Sequence, residues 1–276
     1  MTIAVTGATG QLGRLAIAAL QARGAAPVAL VRSPEKAADL GVEARAFDYT
    51  RPDAAALAGI DTLVLISSND FNDRAGQHRN VIAAAKAAGV GRILYTSILK
   101  GADSPMILAQ DHVATEAALA KSGLAVTLLR NGWYTENYTG ALGAAVEHGA
   151  ILGAAGEGRV SSAARKDYAE AIAVTALDGA HAGKVYELAG DTAYSGAELA
   201  AAVAAASGKP VAYVNLPQAE YAKALEGFGL PAGFAAVLAD SDAQAGNGAL
   251  FDGSRTLSHL IGRPTTPLVE TVRAAL

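Results

Sequence analysis

Short, nearly continuous apolar runs alternate along this chain with longer stretches in which apolar positions are broken by charges. In the first half the runs fall at residues 3–5, 27–31, 44–47, 62–66, 92–95 and 125–129. Helix-like segments at residues 12–23, 75–88 and 109–121 lie between them. Strands that are apolar on both faces and separated by helices predict a parallel sheet covered on both sides. Right-handed crossovers turn that pattern into α/β architecture with a doubly wound, Rossmann-type sheet. The punctuation agrees: Gly24 and Gly89 follow alanine-rich runs where helix C-caps belong, and Ser33-Pro34 has the form of a helix start. Two further starts, Thr50 to Asp53 and Ser195 to Glu198, have the S/T-x-x-D/E spacing of a capping box.

From about Trp133 the alternation loosens. A glycine-rich segment covers residues 153–158, a helix begins near Asp167, a strand covers 184–188, and the last helical segment covers 268–276. The expected organisation is a Rossmann domain over residues 1–132 and a smaller C-terminal α/β region over 133–276 packed against it, with a soft boundary.

Bulk properties narrow the function classes. With 276 residues, 51% hydrophobic and 17% charged, the chain can bury a full core. A net charge of -4 without Lys or Arg runs gives no nucleic-acid footprint. No apolar run reaches the length of a membrane span and no basic leader precedes the first strand, so a cytoplasmic protein is expected. The absence of cysteine excludes disulfides and thiolate chemistry, and the five histidines lack ligand spacing, so no metal site is expected.

The first candidate for chemistry is the loop Thr6-Gly7-Ala8-Thr9-Gly10-Gln11-Leu12-Gly13. A dinucleotide loop must turn tightly, admit a pyrophosphate to its backbone and pack the next helix closely on the strand; Gly7, Gly10 and Gly13 meet those needs in order. The helix N-terminus then offers its unpaired N–H groups and positive dipole end to the phosphates. Arg32-Ser33, after the second strand, stands where an acidic residue would hold the ribose of NADH; a guanidinium there suits the 2′-phosphate of NADPH. Lys36 adds charge one turn on. Alternatively Arg32 is a solvated strand end and Ser33 only an N-cap. Asp48 has two readings, an acceptor for adenine or a turn residue. Ser67 and Ser68, after the fourth strand, lie where ribose and nicotinamide cross the sheet's carboxyl edge.

None of the nine tyrosines has Lys four residues later, so the Tyr-x-x-x-Lys pair that protonates a carbonyl in most short-chain dehydrogenases is missing. The glycine loop, Leu65-Ile66-Ser67-Ser68, Gln77-His78-Arg79-Asn80, Tyr95-Thr96-Ser97, residues 129–138, residues 184–190 and residues 262–266 together resemble the NmrA-like, atypical short-chain dehydrogenases. Within that group the pattern is most similar to the bacterial type 2 NADPH:quinone oxidoreductases, essentially over the whole chain.

That resemblance implies flavin-independent, two-electron reduction of quinones by NADPH. It places the pyrophosphate on Gly7, Ala8, Thr9, Gly10, Gln11 and Leu12 and the 2′-phosphate on Arg32. It puts the nicotinamide and substrate side on Asn131, Gly132, Trp133, Tyr134, Thr135, Glu136 and Asn137. Trp133 and Tyr134 offer flat apolar faces to a substrate, and Asn137 offers a hydrogen bond; alternatively the aromatics join the two halves. Arg165 is a second phosphate or substrate candidate, or a solvated charge before a helix capped by Asp167. His112, with Glu116 at i+4, is the candidate proton donor, or else an exposed helical pair. The alternative function is an NmrA-type redox sensor that binds NADP(H) without catalysis. In either role a monomer or homodimer is expected.

Overall fold

The computed structural model describes residues 1–70 and 72–276. Its strands are β1 (Ile3–Thr6), β2 (Val28–Val31), β3 (Ala44–Ala46), β4 (Thr62–Leu65), β5 (Arg92–Ile98), β6 (Ala125–Asn131), β7 (Ala150–Gly153), β8 (Val185–Leu188) and β9 (Ala212–Asn215). Among the described residues, a seven-stranded sheet has the order β3-β2-β1-β4-β5-β6-β8, and β7 and β9 form a separate parallel pair. Neighbours from β3 through β6 pair in parallel. The order 3-2-1-4-5-6 reverses between β1 and β4, and ligands of such sheets collect at the carboxyl ends beside that switch point.

Every residue of β1, β2, β4 and β5 is buried, which is why their sequences are apolar runs rather than alternations. One face carries helix α1 (Gln11–Gln21) packed beside the helix Arg165–Leu177. The other carries α2 (Arg74–Ala87) and α3 (Ala109–Ala120), whose Val81, Ile82 and Leu119 join Leu30, Leu63 and Ile93 in one core cluster. Gly24 and Gly89 take left-handed φ values of 80° and 74° as expected of C-caps. Arg92 is buried at the start of β5 and donates to the carbonyls of Ala176 (2.6 Å) and Asp178 (2.8 Å), so a cation closes the C-terminal end of Arg165–Leu177.

The chain interleaves its two compact units. One comprises Met1–Gly101, Asp111–Asn131 and Arg165–Tyr186; the other comprises Ala102–Gln110, Gly132–Ala164 and Glu187–Leu276. The first unit therefore ends its main run at Asn131 but takes back a later segment, which supplies a helix to its α1 face; the contiguous region 133–276 expected from the sequence does not hold as one piece. Two local expectations also change. The turn after β3 is a 3-10 segment, Ala54–Leu57, capped by Asp53 accepting from the Ala55 N–H at 2.9 Å, so Thr50 is not its cap. Asp167 lies buried inside the first turn of its helix rather than at the cap.

Ser195 does form the full capping box: its hydroxyl accepts from the Glu198 N–H, and the Glu198 carboxylate accepts from the Ser195 N–H at 2.7 Å. Ser195→Ala is expected to lower stability by about 1 kcal/mol in urea unfolding. An unchanged midpoint would show that the box contributes nothing here.

Candidate active site

Gly7 leaves β1 with φ at 59°, a left-handed conformation that a side chain resists. The Gly10 N–H donates back to the Gly7 carbonyl at 2.9 Å and closes the turn. A Cβ on Gly13 would stand 2.7 Å from the Ala8 Cα and closer still to the Gly7 carbonyl, so only glycine lets α1 approach the loop this tightly. Gly10 caps α1 without a side-chain bond, and the first turn of α1 contains no acidic residue. An anion-binding end results: exposed Gly10 and Gln11 at the mouth, Ala8 and Leu12 buried behind, Gly7 and Thr9 half-buried. The glycine turn and the acid-free helix start behind it fit a dinucleotide pyrophosphate.

Two residues that sequence reasoning passed over brace this loop. Arg14 donates to the Thr9 carbonyl at 3.1 Å and pairs with Asp39 at 2.5 Å. From the far side, the Tyr49 hydroxyl lies 2.5 Å from the Thr6 hydroxyl and 2.8 Å from the Ile66 carbonyl, which ties the ends of β1 and β4 together. Burial holds the Tyr49 phenol above its ordinary range.

Arg32 is exposed at the end of β2. Ser33 makes no capping bond to the 3-10 segment Pro34–Leu40 that it precedes, so its hydroxyl is not occupied as an N-cap. Of the two readings of Asp48, the turn is realised: its carboxylate accepts from the Thr50 N–H and hydroxyl, each at 2.8 Å. Those bonds, with Arg32 and Arg51 nearby, hold the carboxyl below its usual range.

Beyond β4 the backbone is fixed from below. Ser67 donates its N–H to the Thr96 hydroxyl at 2.8 Å. Ser68 is gripped by three α2 side chains at i, i+3 and i+4: Arg74 donates to its carbonyl (2.6 Å), its hydroxyl donates to Gln77 (2.7 Å), and its N–H donates to His78 Nε2 (2.8 Å). Asp70 donates its N–H to the Ser68 hydroxyl as well and accepts from Gln77 at 2.6 Å.

His112 is buried at 6% exposure, so it is not a solvated helical residue. Its Nδ1 lies 2.8 Å from the Tyr95 hydroxyl. Glu116 does not orient it. Ser97 donates to Glu116 at 2.6 Å, and Arg130 forks onto both Glu116 oxygens at 3.0 and 2.7 Å. The Arg130 guanidinium in turn lies over Gly101, where a Cβ would come within 2.5 Å of Nη2. Burial, then the charge of Arg74, pushes both His78 and His112 down to about 3, and His78 adds to the shift at His112. At neutral pH His112 is an uncharged imidazole. In that form one ring nitrogen still carries an N–H that can donate a hydrogen bond.

The second unit holds residues 132–138. Trp133 and Thr135 pair through backbone with Ala163, at 3.1 and 3.0 Å, which orients the aromatic pair Trp133-Tyr134 along a short two-stranded contact. Thr135 is buried and its hydroxyl joins Ser162 (2.8 Å), whose own hydroxyl meets Tyr194 at 2.5 Å. Trp133, Tyr134 and Glu136 are half-buried, Asn131 and Gly132 buried, and Asn137 exposed in the short helix Glu136–Thr139. Arg165, half-buried, opens the helix Arg165–Leu177 in the first unit.

The glycine-rich segment 153–158 is not a second phosphate loop. Its Ala154 N–H donates to Asp242, the Ala155 N–H to the Tyr213 hydroxyl (3.1 Å) and the Gly156 N–H to Asn215 (2.8 Å), so the donors are already engaged. A cavity of about 30 Å³ beside Tyr138, Tyr213 and Asp242 has room for one water. Burial raises the Asp242 carboxyl above its usual range against the pull of those N–H donors. Among the described residues no group of side chains is placed to hold a metal ion, and no helix is long and apolar enough to cross a membrane.

A 3-2-1-4-5-6 sheet with a glycine cradle at its switch point defines a Rossmann-type NAD(P)H-binding protein. The NAD(P)H-binding family model matches residues 7–178. Quinone oxidoreductase 2 of Escherichia coli is 53% identical over 277 residues, 98% of this chain and 97% of that protein. The crystal structure of the NADPH-dependent quinone oxidoreductase of E. coli complexed with NADPH has a TM-score of 0.94 at 52% identity, covering 99% of each chain. Triphenylmethane reductase of Citrobacter sp., complexed with NADP(H), has a TM-score of 0.93 at 38% identity over 99% of this chain and 100% of that one. The NAD(P)H azoreductase of Xenophilus azovorans is 33% identical over 99% of this chain and 97% of that protein. The chain belongs to the NmrA-like NAD(P)H-binding family and, within it, to the type 2 quinone oxidoreductases.

The two neutral imidazoles make stability depend on pH. Their folded values of about 3 lie below the ordinary 6.5, so the unfolded chain binds more protons between those limits. Stability is full above that window and is lost as pH falls through it. His112→Gln removes one titrating group. Its melting temperature is expected to fall less than that of the natural protein between about pH 7 and about pH 5; equal falls would contradict the buried neutral assignment.

Proposed function

We propose that the protein reduces quinones by two electrons at the expense of NADPH, by direct hydride transfer and without flavin. The observation that carries the reading is the coincidence of the glycine cradle and exposed Arg32 with near-complete likeness to an NADPH-dependent quinone oxidoreductase. Bound NADPH supplies the hydride from its nicotinamide C4; with one proton from water, a quinone becomes a hydroquinone.

The chain's own residues bind, orient and exclude water. Gly7 to Leu12 hold the pyrophosphate on backbone N–H groups, and Arg32 with Ser33 reads the 2′-phosphate. Ser67 and Ser68 carry the β4 edge on which ribose and nicotinamide lie. Asn131 to Glu136 and Arg165 complete the nicotinamide side, while Trp133, Tyr134 and Asn137 receive the quinone. The proposed setting is cytoplasmic.

The acceptors that the names of the related proteins point to (a quinone, an azo group, a triphenylmethane) share one property. Each is a conjugated, electron-poor system that takes up a hydride readily. Quinone reduction leaves an anion delocalised over an aromatic ring, so protonation need not accompany the transfer. Positioning at about 3–3.5 Å and a dry apolar wall are then the main demands on the protein. That chemistry accommodates both the missing Tyr-Lys pair and a His112 held neutral.

Purified protein without flavin is expected to oxidise NADPH with 1,4-benzoquinone well above the uncatalysed rate, followed by nicotinamide absorbance. Intact NADPH binding with no such turnover would sink the reading. Arg32→Glu is expected to weaken NADPH by about tenfold or more and NADH by less than about threefold, because only the former loses a charge-assisted contact. Equal losses would show that Arg32 does not read the phosphate.

A further inference from the structure

The polar atoms beneath the β4 edge can be assigned proton by proton. A backbone N–H only donates, so the Ser68 N–H at 2.8 Å requires His78 Nε2 to be a bare acceptor. In a neutral ring the proton then sits on Nδ1, which faces the Thr115 hydroxyl at 2.9 Å. Thr115 can receive it, because its own proton goes to the Asp111 carbonyl at 2.8 Å. One direction therefore runs through four groups: Ser68 N–H to His78, His78 to Thr115, Thr115 to the carbonyl of α3.

Tyr95 follows from the same logic. Its hydroxyl lies 3.4 Å from His78 Nδ1 and 2.8 Å from His112 Nδ1. His78 Nδ1 already carries a proton, so the phenol gives its own proton to His112 Nδ1 or to the Thr115 hydroxyl, which also bonds it. The groups facing His78 are Arg74 from α2 (itself 3.9 Å from Asp111), His112 and Thr115 from α3, Tyr95 from β5, and Tyr49, whose ring stands edge-on 6.3 Å away.

We propose that His78 is a positioning residue for the bound dinucleotide: as the neutral Nδ1–H tautomer it holds the Ser68 N–H and, with Arg74 and Gln77 on the same face of α2, locks the carboxyl end of β4. All three polar atoms of Ser68 are taken by this clamp, so Ser68 serves as an anchor, and the residue presented beside it is Ser67. The inference rests on reading that edge as the ribose and nicotinamide side of the NADPH site.

Two measurements test it. In ¹⁵N-edited NMR of the whole protein without cofactor, His78 is expected to show a protonated Nδ1 and a bare Nε2. The opposite pattern, or one averaged by exchange at His78, overturns the assignment. NADPH affinity is then compared for His78→Gln, whose amide carbonyl can accept the Ser68 N–H, and His78→Leu, which cannot. His78→Leu is expected to raise the Kd about tenfold, with the Gln variant within about threefold of the natural protein. Equal Kd values for the two variants overturn the positioning role, whatever they do to melting temperature.

Where His78→Leu does not fold, Thr115→Val removes the acceptor of the Nδ1 proton. It is expected to mix the His78 tautomers and weaken NADPH; unchanged tautomer and Kd overturn the proposal. Absence of NADPH binding in the natural protein would instead remove the cofactor reading, while the NMR result would still stand or fall independently.

Discussion

The contact between α1 and the loop after β1 is the constraint on which the site depends. Gly13 brings the helix against the backbone of Gly7 and Ala8 at a distance that no side chain tolerates. That approach sets where the helix N-terminus points, and so where its unpaired N–H groups meet an anion at the sheet's switch point. Tyr49 and Arg14 then fix the loop from two sides, one tying β1 to β4 and the other holding Thr9 to Asp39 through a single guanidinium. The glycines define the cradle; the neighbouring polar bonds keep it in one conformation.

A second level of order lies under the same edge. Helix α2 presents Arg74, Gln77 and His78 to Ser68, and α3 contributes Thr115 and His112 behind them. These groups are buried and paired, with the imidazoles held neutral, so they form a rigid floor under that edge. That arrangement suits an acceptor whose reduced form is already a stabilised anion. The absence of a Tyr-x-x-x-Lys pair and the neutral His112 then belong to one design.

Much of this was legible in the sequence. Apolar runs gave the strands of the large sheet because strands buried on both faces have no alternation to hide. Gly7, Gly10 and Gly13 were readable because each does something that a Cβ forbids. His112 was not, since apolar and polar residues are mixed around α3 and leave no apolar stripe from which burial could be inferred. Strand β9 escaped notice because Ala212, Val214 and Asn215 are exposed, so the segment has the pattern of a surface turn. The return of Arg165–Tyr186 to the first unit was equally hidden, because a helix looks the same whichever sheet it covers. The Ser68 clamp is spelled out by the i, i+3, i+4 spacing of Arg74, Gln77 and His78, but which partner those residues face is a property of the fold.

The central claim is that hydride passes directly from bound NADPH to a quinone. Single-turnover oxidation of NADPH deuterated at C4, with each C4 hydrogen labelled in turn and no flavin present, tests it most directly. The account predicts a primary isotope effect for one of the two labels and no flavin absorbance at any stage. Oxidation insensitive to both labels, or dependent on added flavin, would contradict it.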